Sequence, residues 1–93
     1  MGNGFGFKVD VDVDVATGKV RAVYFRVRSG KVKETKEIEP GVVLADYGHD
    51  GLLIGIELLD RCEVAVFDRV TVDEPSNVQQ FFRNAAPREL ICN

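Results

Sequence analysis

The chain has one histidine, two cysteines, one methionine, three prolines and no tryptophan. The cysteines, Cys62 and Cys92, lie far apart and form no Cys-x-x-Cys. With His49 as the only imidazole they cannot assemble a Cys/His zinc site within one subunit. They read as reduced thiols, one semi-buried and one in the tail; a disulfide between them would need an oxidising compartment. No apolar run approaches the ~20 residues that span a bilayer. The first residues lack the basic start and apolar core of a signal peptide, so a cytoplasmic setting is expected. A basic excess is also missing. The net charge is −3, which argues against a nucleic-acid partner. The P-loop, GxSxG, GxGxxG and HExxH patterns do not occur.

What remains is 93 residues of ordinary globular composition, 45% hydrophobic and 29% charged, enough for a single domain with a modest core. Residues 1–6 are a glycine-rich lead-in, and residues 88–93 form a tail with room for one more helical turn. Phe7–Val15 alternates strictly, with Phe7, Val9, Val11, Val13 and Val15 on one face and Lys8, Asp10, Asp12 and Asp14 on the other. After the turn Ala16–Lys19 comes a second strand, Val20–Arg28, with Val23, Phe25 and Val27 on its apolar face. Matching the apolar faces places Val13 opposite Val23 and Val11 opposite Phe25. That register pairs Asp10 with Arg26 across the strands and makes the turn odd in length, centred on Gly18.

Ser29-Gly30 reads as a hairpin turn into a charged edge strand, Lys31–Glu39. Glu39-Pro40-Gly41-Val42 has the residues of a type II turn. The fourth strand, Val42–Tyr47, and the fifth, Leu52–Leu59, flank the turn Gly48-His49-Asp50-Gly51. Both are apolar on both faces and so require cover on both sides. Asp60–Val72 fits a short helix slightly better than a strand. A second helix follows, with Ser76 as N-cap, Gln79 at the capping-box position and Val78, Phe81, Phe82 and Ala85 on one face, ended by Pro87. The fold class is therefore α+β: an antiparallel meander of about five strands, followed by one or two C-terminal helices packed on one face.

The segment Val20–Asp60 carries a further pattern: Val23-Tyr24-Phe25-Arg26-Val27, Glu34-Thr35, Gly41-Val42-Val43, Asp46-Tyr47, Asp50-Gly51 and Gly55-Ile56-Glu57-Leu58-Leu59. In this order it resembles a family of small, mostly bacterial proteins known as domain of unknown function 2283. The chain departs from that family where Arg21-Ala22-Val23 replaces an Ala-Asp pair before the aromatic strand. The resemblance implies a small antiparallel sheet, no known activity, and an antitoxin-like or partner-binding role.

Asp10, Asp12 and Asp14 echo the start of an EF-hand loop. That loop requires Gly at its sixth position and Glu at its twelfth, where this chain has Val15 and Arg21. A solvated acidic strand face fits better. His49 has no evident triad partner and fits an exposed turn residue better than a general base. Glu57 lies mid-strand beside Gly55, a residue that admits close approach of a backbone or ligand. Its simplest role is a pair with Arg26 or Arg28, or a subunit contact. The basic residues of the second and third strands are interleaved with acids and form a mixed solvated face.

No catalytic, cofactor-binding or metal-ligating residue is assigned, and no cofactor is expected. Tyr24, Arg26, Asp46, Tyr47 and Glu57 are the candidate binding or interface residues. The two-faced apolarity of the fourth and fifth strands predicts a homodimer, and the family resemblance implies another small protein as a further partner. The chain reads as a non-enzymatic homo-oligomeric interaction module. The alternative is a small-molecule-binding or hydrolytic protein with a pocket near Glu57, Tyr24 and Asp46.

Overall fold

The computed structural model describes residues 5–91. Five strands, β1 (Lys8–Val13), β2 (Val20–Arg26), β3 (Glu34–Glu39), β4 (Val43–Tyr47) and β5 (Leu53–Leu58), precede two helices, α1 (Val64–Val70) and α2 (Ser76–Ala85), and a 3₁₀ turn, Arg88–Leu90. The α+β class, the antiparallel sheet and the C-terminal helices are as expected. The strand order is β1-β2-β5-β4-β3, with each neighbouring pair antiparallel.

That order differs from sequential pairing. Ser29-Gly30 does not close a hairpin; residues 27–33 cross the end of the sheet to its far edge, and β3, β4 and β5 return so that β5 docks against β2. Sequential pairing would put β3, a charged strand, between β2 and β4. The observed order gives an interior place to β5, where five of six residues are buried, and leaves β3 solvated at an edge. The type II turn forms as read: Gly41 has φ +75° and the Val42 N–H donates to the Glu39 carbonyl at 2.9 Å.

One face of the sheet carries the core. Val23, Phe25, Val27, Val43, Ala45, Ile56 and Leu58 are fully buried beneath Val66 and Phe67 of α1 and Val78 and Phe82 of α2. Phe25 meets Phe67 and Phe82 edge-on at 5.6 and 5.5 Å, and the latter two rings stack at 5.7 Å. Each such phenylalanine contributes about 1.5–3 kcal/mol by leaving water. Between the helices, the buried Thr71 directs both its N–H and its hydroxyl to the Phe67 carbonyl, closing α1. The helical reading of residues 60–72 therefore holds over Val64–Val70. Arg28 joins this layer to the sheet. Its guanidinium pairs with both Glu74 oxygens at 3.1 and 2.8 Å, donates to the Leu53 carbonyl at 2.7 Å and lies over the Phe5 ring.

Several local expectations are corrected. Ser76 is the first residue of α2, and Pro75 holds the N-cap position, with its carbonyl accepting from Val78 and Gln79. The Gln79 side chain donates instead to the Thr71 and Glu74 carbonyls of the preceding loop. In the first hairpin the faces are right and the register is shifted by two: Val11 lies opposite Val23, Val9 opposite Phe25, Asp10 opposite Tyr24 and Lys8 opposite Arg26. Asp14 accounts for the shift. Its carboxylate accepts from the Ala16 and Thr17 N–H groups, and its own N–H bonds the Lys19 carbonyl, which leaves an even loop of residues 15–18. Arg21 is then an extra bulged residue, and it pairs with Asp12 at 3.1 Å in place of the Asp10–Arg26 pair.

The largest correction concerns β5. Leu53 pairs with Tyr47 and Gly55 with Asp46, so Ile54 is an extra residue in a second bulge. Leu53 thereby joins the core, while Ile54 turns into a cleft at the end of the sheet lined by Gly30, Gly48 and His49. The opposite face of β4 and β5 is left with Leu44, Asp46, Gly55 and Glu57. It is largely polar and has no need of a second apolar layer. Cys62 is buried, and its backbone bridges Ile91. The expectation for Cys92, most of the lead-in and the last two residues of the tail lie outside the described residues. Among the described residues no helix is long and apolar enough to cross a membrane.

Candidate functional site

The open face of the sheet, opposite the helices, gathers four of the five candidate residues: Tyr24 and Arg26 from β2, Glu57 from β5 and Asp46 from β4. Strand alternation puts them there. On β2 the core takes Val23 and Phe25, so Tyr24 and Arg26 face outward. The fifth, Tyr47, lies on the helix side, where it packs at the core margin with the Lys36 ammonium 5.0 Å from its ring centre.

The centre of the face is a hydrogen-bonded bridge across three strands. The Tyr24 hydroxyl donates to Asp46 Oδ2 at 2.9 Å, and the Thr35 hydroxyl of β3 donates to Asp46 Oδ1 at 2.6 Å. Tyr24 reaches β4 because β5, which lies between, offers Gly55. A Cβ on that glycine would stand 2.5 Å from the Tyr24 hydroxyl and 2.5 Å from the Phe25 carbonyl. Both Asp46 oxygens thus have donors from opposite sides. Thr35 belongs to the family-like pattern but is not one of the five candidate residues. Its role depends on β3 pairing with β4, with Thr35 opposite Asp46. The glycine interrupting an apolar strand was the sequence signal for a close approach here.

Burial, followed by the hydrogen bond to Asp46 and that residue's negative charge, raises the Tyr24 hydroxyl well above the usual tyrosine range. The phenol therefore stays protonated and serves as a donor. It is poorly suited to act as a base or nucleophile at neutral pH. Arg26 does not pair with Glu57. Its guanidinium donates to the Arg28 and Gly30 carbonyls at 3.0 and 2.9 Å, pinning the start of the crossing segment. Arg28 is committed to Glu74. Glu57 therefore lies half-buried between Tyr24 and Leu44 with no ion-pair partner among the described residues. It borders a cleft of about 270 Å³ shared with Asp10, Val11, Asp12, Ala22 and Tyr24. His49 is exposed in its turn, at the end cleft beside Arg28 and Asp50. Among the described residues no group of three or more His, Cys, Asp or Glu side chains is placed to hold a metal ion.

The second notable surface is the β1 edge, whose alternating sequence marks an amphipathic strand. All six residues of β1 are exposed. On its helix side Phe7, Val9, Val11 and Val13 are 42, 37, 49 and 41% exposed, because α1 and α2 sit over the middle of the sheet and stop short of its edge. Among the described residues only Phe7 is capped from α2, by a stack on Phe81 at 4.7 Å. The other edge is protected differently. β3 carries Glu34, Thr35, Lys36 and Glu37 in succession, charged on both faces.

No curated protein and no solved structure gives a significant match to the chain. Residues 20–60, the span of β2 to β5 that contains Tyr24, Thr35, Asp46, Gly55 and Glu57, match the model of the family described as "Protein of unknown function (DUF2283)".

Proposed function

We propose that this chain is a non-enzymatic, self-associating interaction module. The observation that carries the reading is the β1 edge: an open strand whose apolar side chains lie beyond the reach of the helices. A contiguous apolar stripe beside unpaired backbone groups is a surface that water disfavours and that a partner strand satisfies. The surface expected to drive assembly was β4 and β5; the exposed apolar stripe of β1 is what supports assigning that role to β1 instead. The open face suits holding better than reacting, since its tyrosine stays protonated and its aspartate already has two donors. An antitoxin-like role, as the family resemblance implies, would add a second small protein as partner. Sedimentation equilibrium at micromolar concentration tests the reading: a dimer is expected, and a monomer throughout that range overturns it.

One observation favours a second reading. Glu57 has no ion-pair partner among the described residues and borders the cleft beside Tyr24, an arrangement suited to a small cationic ligand. A Glu57→Gln variant that loses a bound amine while keeping its assembly state would support it.

A further inference from the structure

The same edge specifies how two copies would meet. We propose that the chain dimerises through antiparallel β1–β1 pairing about a twofold axis at Val9; this rests on the self-association reading above and adds its geometry. The hydrogen-bond phase comes first. Gly6 and Asp14 direct their N–H groups to Val27 and Lys19, toward β2. Alternation along an antiparallel ladder makes residues 8, 10 and 12 do the same, so Phe7, Val9, Val11 and Val13 present their N–H and C=O groups outward. An antiparallel partner must place outward residues opposite outward residues. That excludes every axis between residues, and where at least three residues of 7–13 from each copy are to pair it leaves an axis at residue 8, 9, 10, 11 or 12.

Charge selects among these five. An axis at Lys8 sets Lys8 against its own copy. One at Asp10 or Asp12 does the same with a carboxylate, and one at Val11 sets Asp10 against Asp12 twice. Only the axis at Val9 places opposite charges alone across the seam, Lys8 facing Asp10 of the second copy and the reverse. Within its own chain Lys8 faces Arg26, a like-charge pairing that the partner's carboxylate would offset. The same axis sets Val9 against Val9 and Phe7 against Val11, which joins the two exposed stripes on the helix side into one. The product is a continuous ten-stranded sheet with both helix layers on the same side.

The full chain carrying Lys8→Glu, and the double variant Lys8→Glu with Asp10→Lys, test the register. The single variant is expected to raise the dimer dissociation constant about tenfold, as two facing pairs turn from attractive to repulsive. The double variant is expected to recover to within about threefold of the parent, since the pairs are re-formed with signs exchanged. With the axis at Asp10 the double variant would not recover, because two lysines would then meet. Val9→Pro supplies a second arm. It removes an outward N–H without touching the β1–β2 ladder, so circular dichroism stays native while the dissociation constant rises at least about tenfold. A dimer indifferent to all three variants overturns this register and leaves self-association standing. A monomeric parent overturns both.

Discussion

Gly55→Ala probes the tightest packing on the open face. The added methyl would stand 2.5 Å from the Phe25 carbonyl and 2.5 Å from the Tyr24 hydroxyl. The phenol can swing away, which forfeits its bond to Asp46, worth about 1.5–3 kcal/mol for a charged acceptor. The carbonyl belongs to the β2–β5 ladder and cannot yield without parting the strands, an overpacking cost of about 1–3 kcal/mol. Alanine stiffens the unfolded chain relative to glycine and returns about 0.4–1 kcal/mol. The net expectation is a loss of about 2–5 kcal/mol, set against a total of about 5–14 kcal/mol for a domain of this length. Urea unfolding at constant m value measures it. A cycle with Tyr24→Phe separates the two causes. The phenylalanine alone forfeits the same bond and costs about 1.5–3 kcal/mol. In its presence Gly55→Ala costs less than in the parent, because the hydroxyl clash and the Asp46 bond are already gone. The clashes with the carbonyl and with the ring's Cζ, 2.6 Å from the added methyl, remain. If Gly55→Ala changes stability by less than about 0.5 kcal/mol, the close approach argued for this strand is wrong.

Arg28→Met should destabilise by about 2–4 kcal/mol in the same assay, since it leaves Glu74, a side chain only 9% exposed, without its bidentate partner; Glu74→Gln should cost less, and a null result for both would remove the pair as the tie between sheet and helices. The two tyrosines should titrate late, Tyr24 through burial and Asp46, Tyr47 through burial and the charges of Glu74 and Glu34. The unfolded phenols lose their protons near pH 10, the folded ones higher, so their contribution to stability is intact below about pH 10 and falls as the pH rises above it. Tyrosinate absorbance in the folded protein should stay low at about pH 10 and Tyr24→Phe should flatten the alkaline decline; early tyrosinate formation would contradict the placement of both rings.

Faces were legible from the sequence, and registers were not. Alternation in Phe7–Val15 and Val20–Arg28 correctly sorted valines from aspartates, because a shift of two residues leaves every side chain on its own face. The shift itself arises from Asp14 folding back on the turn and Arg21 bulging out, local choices that apolar patterning does not encode. Ile54 misled in the same way: one inserted residue moved Leu53 into the core and removed the apparent two-sided apolarity of β5. Tyr24, Asp46 and Glu57 were all candidates, yet the Tyr24–Asp46–Thr35 bridge needed the order β2-β5-β4-β3, which the short link at Ser29-Gly30 disguised as a hairpin.

The strand order has a consequence for how the chain comes to be folded. β1 with β2, and β3 with β4, are each complete as hairpins before β5 emerges from the ribosome, and nothing in the sheet links them until it does. Isolated hairpins are marginal in water, so the first fifty or so residues should gain no lasting structure during synthesis. The last strand made is the keystone, paired on both edges. Its arrival should convert two fluctuating ribbons into a sheet in one cooperative step, followed by closure of the helices over it. A nascent chain stalled before Leu53 would thus present an apolar valine strand with no core behind it, and the pairing of residues 53–58 on both edges is the step that ends that exposure.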